Sequence, residues 1–233
     1  MGHVVLRTIA LVAAASLPSL AAGQVGHLPQ RSPYRDLERR HELTYVGGFY
    51  EAAIDPARVA PRDGPMVGVH YELRVGGPAY LTARVIGVNA KRLVLDPKLP
   101  IAERVKGDIN APFVLTDVGF ALNLTGYKSW HGLIPTIGGG LGVGTGFDGG
   151  LDVGNYRFGF PFVAALRPGV KFLVGGKWSG RLDATNYFYR IRYPDSYYTK
   201  TGPDDTVLPV DAPRNFWKRN RAVTLGLSYN FGR

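Results

Sequence analysis

From about residue 42 onward, apolar and polar positions alternate with a period of two, the spacing of strands that bury one face and solvate the other. The first predicted strand, Glu42 to Ala53, sets Leu43, Tyr45 and Phe49 against Thr44, Gly48 and Tyr50, with an irregularity at Gly47. Pro65 to Val75 alternates without interruption, Val67, Val69, Tyr71, Leu73 and Val75 opposing Gly68, His70, Glu72 and Arg74. Ala79 to Val88 follows a Gly76-Gly77-Pro78 turn, with Leu81, Ala83 and Val85 opposite Tyr80, Thr82 and Arg84. Pro112 to Thr125 places Val114, Val118, Phe120, Leu122 and Leu124 against Asp117, Gly119, Ala121 and Asn123. Leu133 to Phe147 carries Leu133, Ile137, Leu141, Val143 and Phe147 on one face and a row of glycines on the other. Tyr156 to Phe172 reads as one phase, Phe158, Phe160, Phe162, Leu166, Val170 and Phe172 against Arg157, Arg167 and Lys171. A seventh strand sets Leu182, Ala184 and Phe188 against Arg181, Asp183, Thr185 and Tyr187, and a last one sets Val223, Leu225, Leu227, Tyr229 and Phe231 against Thr224, Gly226, Ser228 and Asn230.

About eight strands result, joined by alternating long and short connections. A strand of about 9–11 residues crosses a bilayer when tilted, and outer-membrane barrels keep short turns in the periplasm and long loops outside. The pattern therefore predicts an all-β, closed, antiparallel transmembrane barrel with short periplasmic turns and long extracellular loops. Its loops would be Ile54 to Gly64, Asn89 to Ala111, Asp148 to Asn155 and Tyr193 to Arg219. Inverting a strand would aim Arg or Lys at lipid, at roughly 2–4 kcal/mol each near the midplane, so the phase of each strand is determined. A soluble lipocalin-like barrel with the apolar face inward is the alternative, since alternation by itself serves both.

The last strand carries a short motif: a polar residue, a glycine two places on, then an apolar and a final aromatic position, filled here by Thr224, Gly226, Tyr229 and Phe231 and followed by Gly232 and Arg233. This resembles the C-terminal assembly signal of bacterial outer-membrane barrels. With the strand count, the mature chain resembles the small eight-stranded family that includes the transmembrane domain of outer membrane protein A. The resemblance implies a porin-like envelope protein of a Gram-negative cell, whose Tyr229 and Phe231 are read by the barrel-assembly machinery.

Composition bears on compartment. Arg7, the apolar run Thr8 to Leu17 and Ala21-Ala22-Gly23 read as a secretory signal peptide over residues 1–23. Its core is too short to span a bilayer as a helix. Residues 24–41, with Arg31, Arg35, Arg39 and Arg40, read as a periplasmic lead-in, and 42–233 as the barrel domain. The absence of cysteine removes disulfides, thiolate chemistry and a lipoprotein anchor. A formal net charge of +10 comes from scattered residues, which argues against nucleic acid and suits anionic lipid headgroups. The expected partners are outer-membrane lipid and lipopolysaccharide, with the protein a monomer.

The polar face would fill the lumen, because eight strands enclose a space just wide enough for side chains. The expected charge network is His70, Glu72, Arg74, Arg84, Asp117, Arg157, Arg167, Lys171, Arg181 and Asp183, paired because an unpaired buried charge costs several kcal/mol. A narrow path preferring anions, from the basic excess, is the second possibility. A lipid A-modifying enzyme is a third, but it needs a nucleophile, base and orienting group. His70 lies beside Glu72 on the lumen face, and Ser129 with His131 falls in a predicted turn. No cofactor or metal is expected; Asp195, Asp204 and Asp205 read as solvated loop carboxylates. Gly144, Gly146 and Gly149 formally fit a dinucleotide-binding spacing, but no helix pattern follows. Phe216 and Trp217 are expected as aromatic anchors at the membrane interface, and Tyr197 and Tyr198 as anchors or partner contacts. The reading that results is a non-enzymatic outer-membrane barrel with a filled lumen and exposed loops.

Overall fold

The computed structural model describes residues 32–147 and 153–232. The signal-peptide segment and most of the predicted loop Asp148 to Asn155 lie outside the described residues. Among the described residues twelve strands run in chain order: β1 Tyr34–Asp36, β2 His41–Glu51, β3 Gly64–Gly76, β4 Ala79–Val88, β5 Lys91–Leu95, β6 Val105–Asn110, β7 Phe113–Asn123, β8 Lys128–Trp130, β9 Leu133–Gly146, β10 Phe162–Gly175, β11 Trp178–Arg192 and β12 Asn215–Phe231. Eight of them form a ring in the order β2-β3-β4-β7-β9-β10-β11-β12, and β12 pairs back onto β2. Every junction is antiparallel. Closure gives each strand's backbone groups partners on both sides and leaves no edge in the ring.

The closing register runs from Arg221↔Glu51 to Phe231↔His41. It joins the first and last predicted strands, as their shared alternation requires. Outward side chains are apolar and exposed, among them Tyr45, Val67, Val85, Phe120, Leu141, Leu182 and Leu225. Inward ones are buried.

The ring has two unlike ends. At the turn end, β3 passes to β4 through Gly77, whose φ of +50° is in the left-handed region, and β10 passes to β11 through Gly176 and Lys177. The incoming chain crosses this end: β1 pairs with β8, Arg40 N–H donates to the Gly232 carbonyl at 3.2 Å, and Arg74 N–H donates to the Arg40 carbonyl at 2.8 Å. At the loop end, the connection from β4 to β7 carries the β5–β6 hairpin, and a 3₁₀ turn covers Asp195–Tyr197.

Several boundaries differ from those the pattern predicts. The strand expected from Tyr156 starts at Phe162, because Asn155 (φ 60°) and Gly159 (φ 68°) interrupt the extended backbone. Phe158 is therefore buried over the loop end instead of facing outward, and Arg157 is exposed outside the lumen. The final strand begins at Asn215, inside the stretch expected as loop. Tyr197 and Tyr198, expected at the surface, are fully buried.

Candidate functional site

The lumen is the candidate site, and it is filled in two storeys. At the turn end lies a charge lattice centred on Glu72 of β3. Arg181 Nη1 of β11 donates to its Oε1 at 2.5 Å, and Lys171 Nζ of β10 donates to its Oε2. Lys171 also donates to Glu42 of β2 at 2.8 Å and stands 4.8 Å above the Tyr80 ring. Arg181 Nε donates to Asp183 at 2.7 Å, and its Nη1 lies 3.7 Å from Glu42. Thr44 links the lattice to the closing strand, sharing a 2.8 Å hydrogen bond with Ser228.

One level up, Arg167 of β10 donates from Nη2 to both Asp117 oxygens of β7, at 2.8 and 3.1 Å. Strand β9 runs between these two, and its inward glycines let the pair pass over it. A Cβ at Gly140 would come within 2.6 Å of Asp117 Oδ1. Arg84 of β4 donates to Thr185 at 3.0 Å and to Thr224 at 3.2 Å.

The loop-end storey is aromatic and apolar. Tyr50 and Tyr189 share a 2.7 Å hydrogen bond, and Phe113 meets Tyr50 edge-on at 5.3 Å. Phe158 packs against Phe113 and Tyr189 and fills the space above Gly144 and Gly146, where a Cβ would meet its ring or its own Cβ within 3.1 Å. Tyr193, Tyr197 and Leu208 extend this core into the loops. Asp55 anchors them: it accepts from Val59 N–H at 3.2 Å, Ala60 N–H at 3.3 Å and the Tyr193 hydroxyl at 2.5 Å. Burial first, and the Asp55 carboxylate second, push the Tyr193 hydroxyl well above the ordinary phenol range.

Of the expected network, Glu72, Arg84, Asp117, Arg167, Lys171, Arg181 and Asp183 are brought into the lumen, with His70 packed among them. Two expected members lie elsewhere. Arg157 is at the exposed loop end. Arg74 is at the turn-end mouth, where its guanidinium donates to the Leu37 carbonyl at 2.5 Å and latches the entering segment. Glu42 was not among the expected members, although it belongs to the same even-numbered set as Thr44. With these changes, among the described residues, Glu42, Glu72, Asp117 and Asp183 stand against Arg84, Arg167, Lys171 and Arg181, and the inward Lys218 of β12 lies 3.8 Å from Asp55, so carboxylates and cations balance five against five. The expected basic excess is thus absent from the lumen.

His70 is fully buried with Nε2 3.4 Å from Glu72 Oε1, and neither ring nitrogen makes a hydrogen bond among the described residues. His70 therefore fills space in the lumen as a packed side chain. Ser129 donates to the Arg35 carbonyl at 3.4 Å. Two of the loop carboxylates have protein partners: Asp195 pairs with Arg214, and Asp204 accepts from Ile101 N–H at 2.7 Å.

Among the remaining expected residues, Thr224 faces the lumen, and Tyr229 and Phe231 line the outer surface at the turn end, Tyr229 edge-on to Trp178 at 5.1 Å and Phe231 stacked on His41 at 5.1 Å. Trp217 points outward, two-thirds exposed, but Phe216 turns inward and packs on Tyr193 at 5.3 Å, so it is no interface anchor. Beneath the lattice, a cavity of about 280 Å³ opens at the turn end, lined by Arg39, Arg40, Glu42, Asn123 and Lys171 among others.

No protein-family model matches the chain, and no curated protein matches it. Solved structures do. The outer membrane protein OprG from Pseudomonas aeruginosa superposes with a TM-score of 0.51 at 12% identity, over 84% of this chain and 98% of that one. Neisserial surface protein A, NspA, gives a TM-score of 0.49 at 12% identity, over 82% and 97%. At such identity the likeness speaks to architecture alone. The chain has the fold of the small eight-stranded outer-membrane β-barrels.

Proposed function

We propose that this chain is an integral outer-membrane barrel without catalytic activity, which anchors in the outer layer of the envelope and presents its folded loops at the cell surface. The observation that carries this reading is the inside-out distribution of polarity. Carboxylates and cations, among them Glu42, Glu72, Asp117, Arg167, Lys171 and Arg181, are buried within the ring, while side chains such as Val67, Phe120 and Leu225 stand exposed around it. In water such a surface would cost about 25 cal/mol per Å² of apolar area left wet, whereas lipid removes that cost. A soluble binding barrel would need the reverse arrangement. The turn end then faces the periplasm and the loop end the exterior.

Both storeys support a closed lumen. The charge lattice pairs its carboxylates with cations in place, and the aromatic core seals the other end. Reconstituted in a planar bilayer, the chain should give no steady conductance; steady anion-selective openings would overturn the closed-lumen reading. Cell fractionation should find the chain with outer membranes, and recovery as a soluble periplasmic protein would overturn the membrane reading. Purified chain in detergent should leave the acyl pattern of lipid A unchanged. A change that His70→Ala abolishes would make it an enzyme.

A further inference from the structure

The outward face of β11 and β12 changes character towards the loop end. Below, it is apolar: Leu182 pairs across from Leu225, and Ala184 from Val223. Above, the cross-strand pairs become Asn186↔Arg221, Phe188↔Arg219, Arg190↔Trp217 and Arg192↔Asn215. Each strand thus carries two consecutive outward arginines, Arg190 and Arg219 lie diagonally across the pair with Phe188 and Trp217 beside them, and Arg190, Arg192, Arg219 and Arg221 are all exposed. Diagonal neighbours on one face of a sheet lie about 7–8 Å apart, close enough for two guanidinium groups to share one polyoxyanion.

The height of this patch is informative. Ten residues separate Phe231, at the turn end, from Arg221. At about 3.3 Å per residue and a strand tilt near 40°, that is roughly 25 Å along the barrel axis, the height of the apolar band of an outer-membrane barrel. Arg221 therefore stands at the upper edge of the band and the other three just beyond it.

The strand arginines have a neighbour in the loop. A cleft of about 500 Å³ on this side is lined by Arg157, Phe160, Arg190, Arg192 and Asp195. Among the described residues, the one carboxylate lining the cleft, Asp195, is engaged by Arg214. Among the described residues, Arg157, Arg190, Arg192 and Arg221 have no ion-pair partner; the exposed Glu51 sits opposite Arg221 in register, and Arg219 donates to Asn186 at 3.2 Å. A run of unpaired guanidiniums on one side of a surface repels itself unless something anionic occupies it.

We propose that Arg190, Arg192, Arg219 and Arg221, with Arg157 from the loop, bind the phosphate groups of outer-leaflet lipopolysaccharide, while Phe188, Trp217 and Phe160 rest at the boundary between its acyl chains and sugars. The proposal rests on the outer-membrane reading above. Guanidinium supplies the forked donor pair that matches phosphate, and the aromatic rings suit the interfacial depth.

The test uses the full chain refolded in detergent. It is titrated with lipopolysaccharide, with the same lipid after removal of its phosphates, and with a soluble sulfated oligosaccharide. R190Q/R192Q/R219Q/R221Q is compared with a charge-matched control, R58Q/K98Q/K106Q/K200Q, drawn from other exposed loop positions. The strand variant should lose lipopolysaccharide binding by at least about tenfold and the control much less, because forked contacts rather than net charge are removed. Dephosphorylated lipid should bind the wild type as weakly as intact lipid binds the strand variant. Equal affinity of wild type and strand variant, or of both lipid forms, would overturn the proposal, as would tighter binding of the sulfated oligosaccharide than of lipopolysaccharide. If the fourfold variant does not refold, R190Q/R192Q and R219Q/R221Q are each expected to show a smaller loss in the same direction, and no loss in either would overturn the proposal. Flotation of the same preparation with phosphatidylcholine vesicles separates the two readings. A chain that does not float refutes the membrane reading and this proposal with it; a floating chain with undiminished variant binding refutes this proposal alone.

Discussion

Arg167 and Asp117 pair at 2.8 Å across an intervening strand, β10 reaching β7 over the glycine face of β9. Both side chains are almost wholly buried, so neither has water to fall back on. Asp117→Ala should lower the stability of the folded barrel by about 3 kcal/mol, since it strands a buried guanidinium. Denaturant titration in detergent measures this. Replacing both residues by leucine and methionine should cost less than the single change, and a larger loss in the double variant would refute the account.

The same geometry makes Gly140 hard to replace. A Cβ there meets Asp117 Oδ1 at 2.6 Å and the Val118 carbonyl oxygen at 2.8 Å, and a backbone oxygen cannot swing aside. Gly140→Val should sharply reduce the fraction of chain that refolds, read from the shift in electrophoretic mobility between boiled and unboiled samples. Gly47→Val, at an outward position with nothing within 4 Å, should refold normally.

The two storeys predict that charge and closure can be separated. Glu72→Ala removes the carboxylate that both Lys171 and Arg181 hold most closely, leaving Glu42 alone between them, and should destabilise the barrel by about 3 kcal/mol. It should still not conduct, because Tyr50, Tyr187, Tyr189 and Phe113 remain across the other end. Planar-bilayer recording of this variant decides it: steady openings would mean that the lattice alone closes the lumen.

Tyr193 makes the loop end sensitive to alkali. Its hydroxyl is held neutral against Asp55 and its folded pKa lies above that of an unfolded phenol, about 10. The stabilisation is therefore complete below about pH 10 and declines as pH rises through the folded value. Limited proteolysis of the 193–214 loop should accelerate above that pH, and Tyr193→Phe should be cleaved faster at neutral pH with a flatter alkaline response.

Most of this architecture was legible in the alternation itself, for a physical reason. A closed barrel gives every strand one inside and one outside, so a single phase, once fixed by a few charges, sorts nearly all side chains. Glu42 and Phe216 were legible on the same ground. Both continue the even-numbered inward sets of their strands, Glu42 with Thr44 and Phe216 with Lys218 and Asn220. Arg157 and Phe158 were not. Left-handed backbone at Asn155 and Gly159 breaks the period, and nothing in a two-residue repeat announces where extended chain stops. The aromatic storey escaped notice because it joins residues such as Phe113, Phe158, Tyr189 and Tyr193, which come from several loops and strand ends and share no local pattern.

Phe231→Ala tests the resemblance at the last strand. It removes the stack on His41 and an outward aromatic at the turn end. Assembly in cells should fall several-fold while refolding of purified chain in detergent changes little; normal assembly in cells would remove the recognition role from Phe231.

The seam between β12 and β2 orders the molecule in time. The first strand of the ring, β2, finds one of its two neighbours only when residues 221–231 arrive, so its free side must stay unpaired through most of the chain's production. Few contacts can reward a half-made ring, and the loop to be closed is nearly the whole chain. Until then the chain is an open ribbon with unpaired strand edges, prone to sticking to other chains, and the step that ends this vulnerability is the joining of His41 to Phe231.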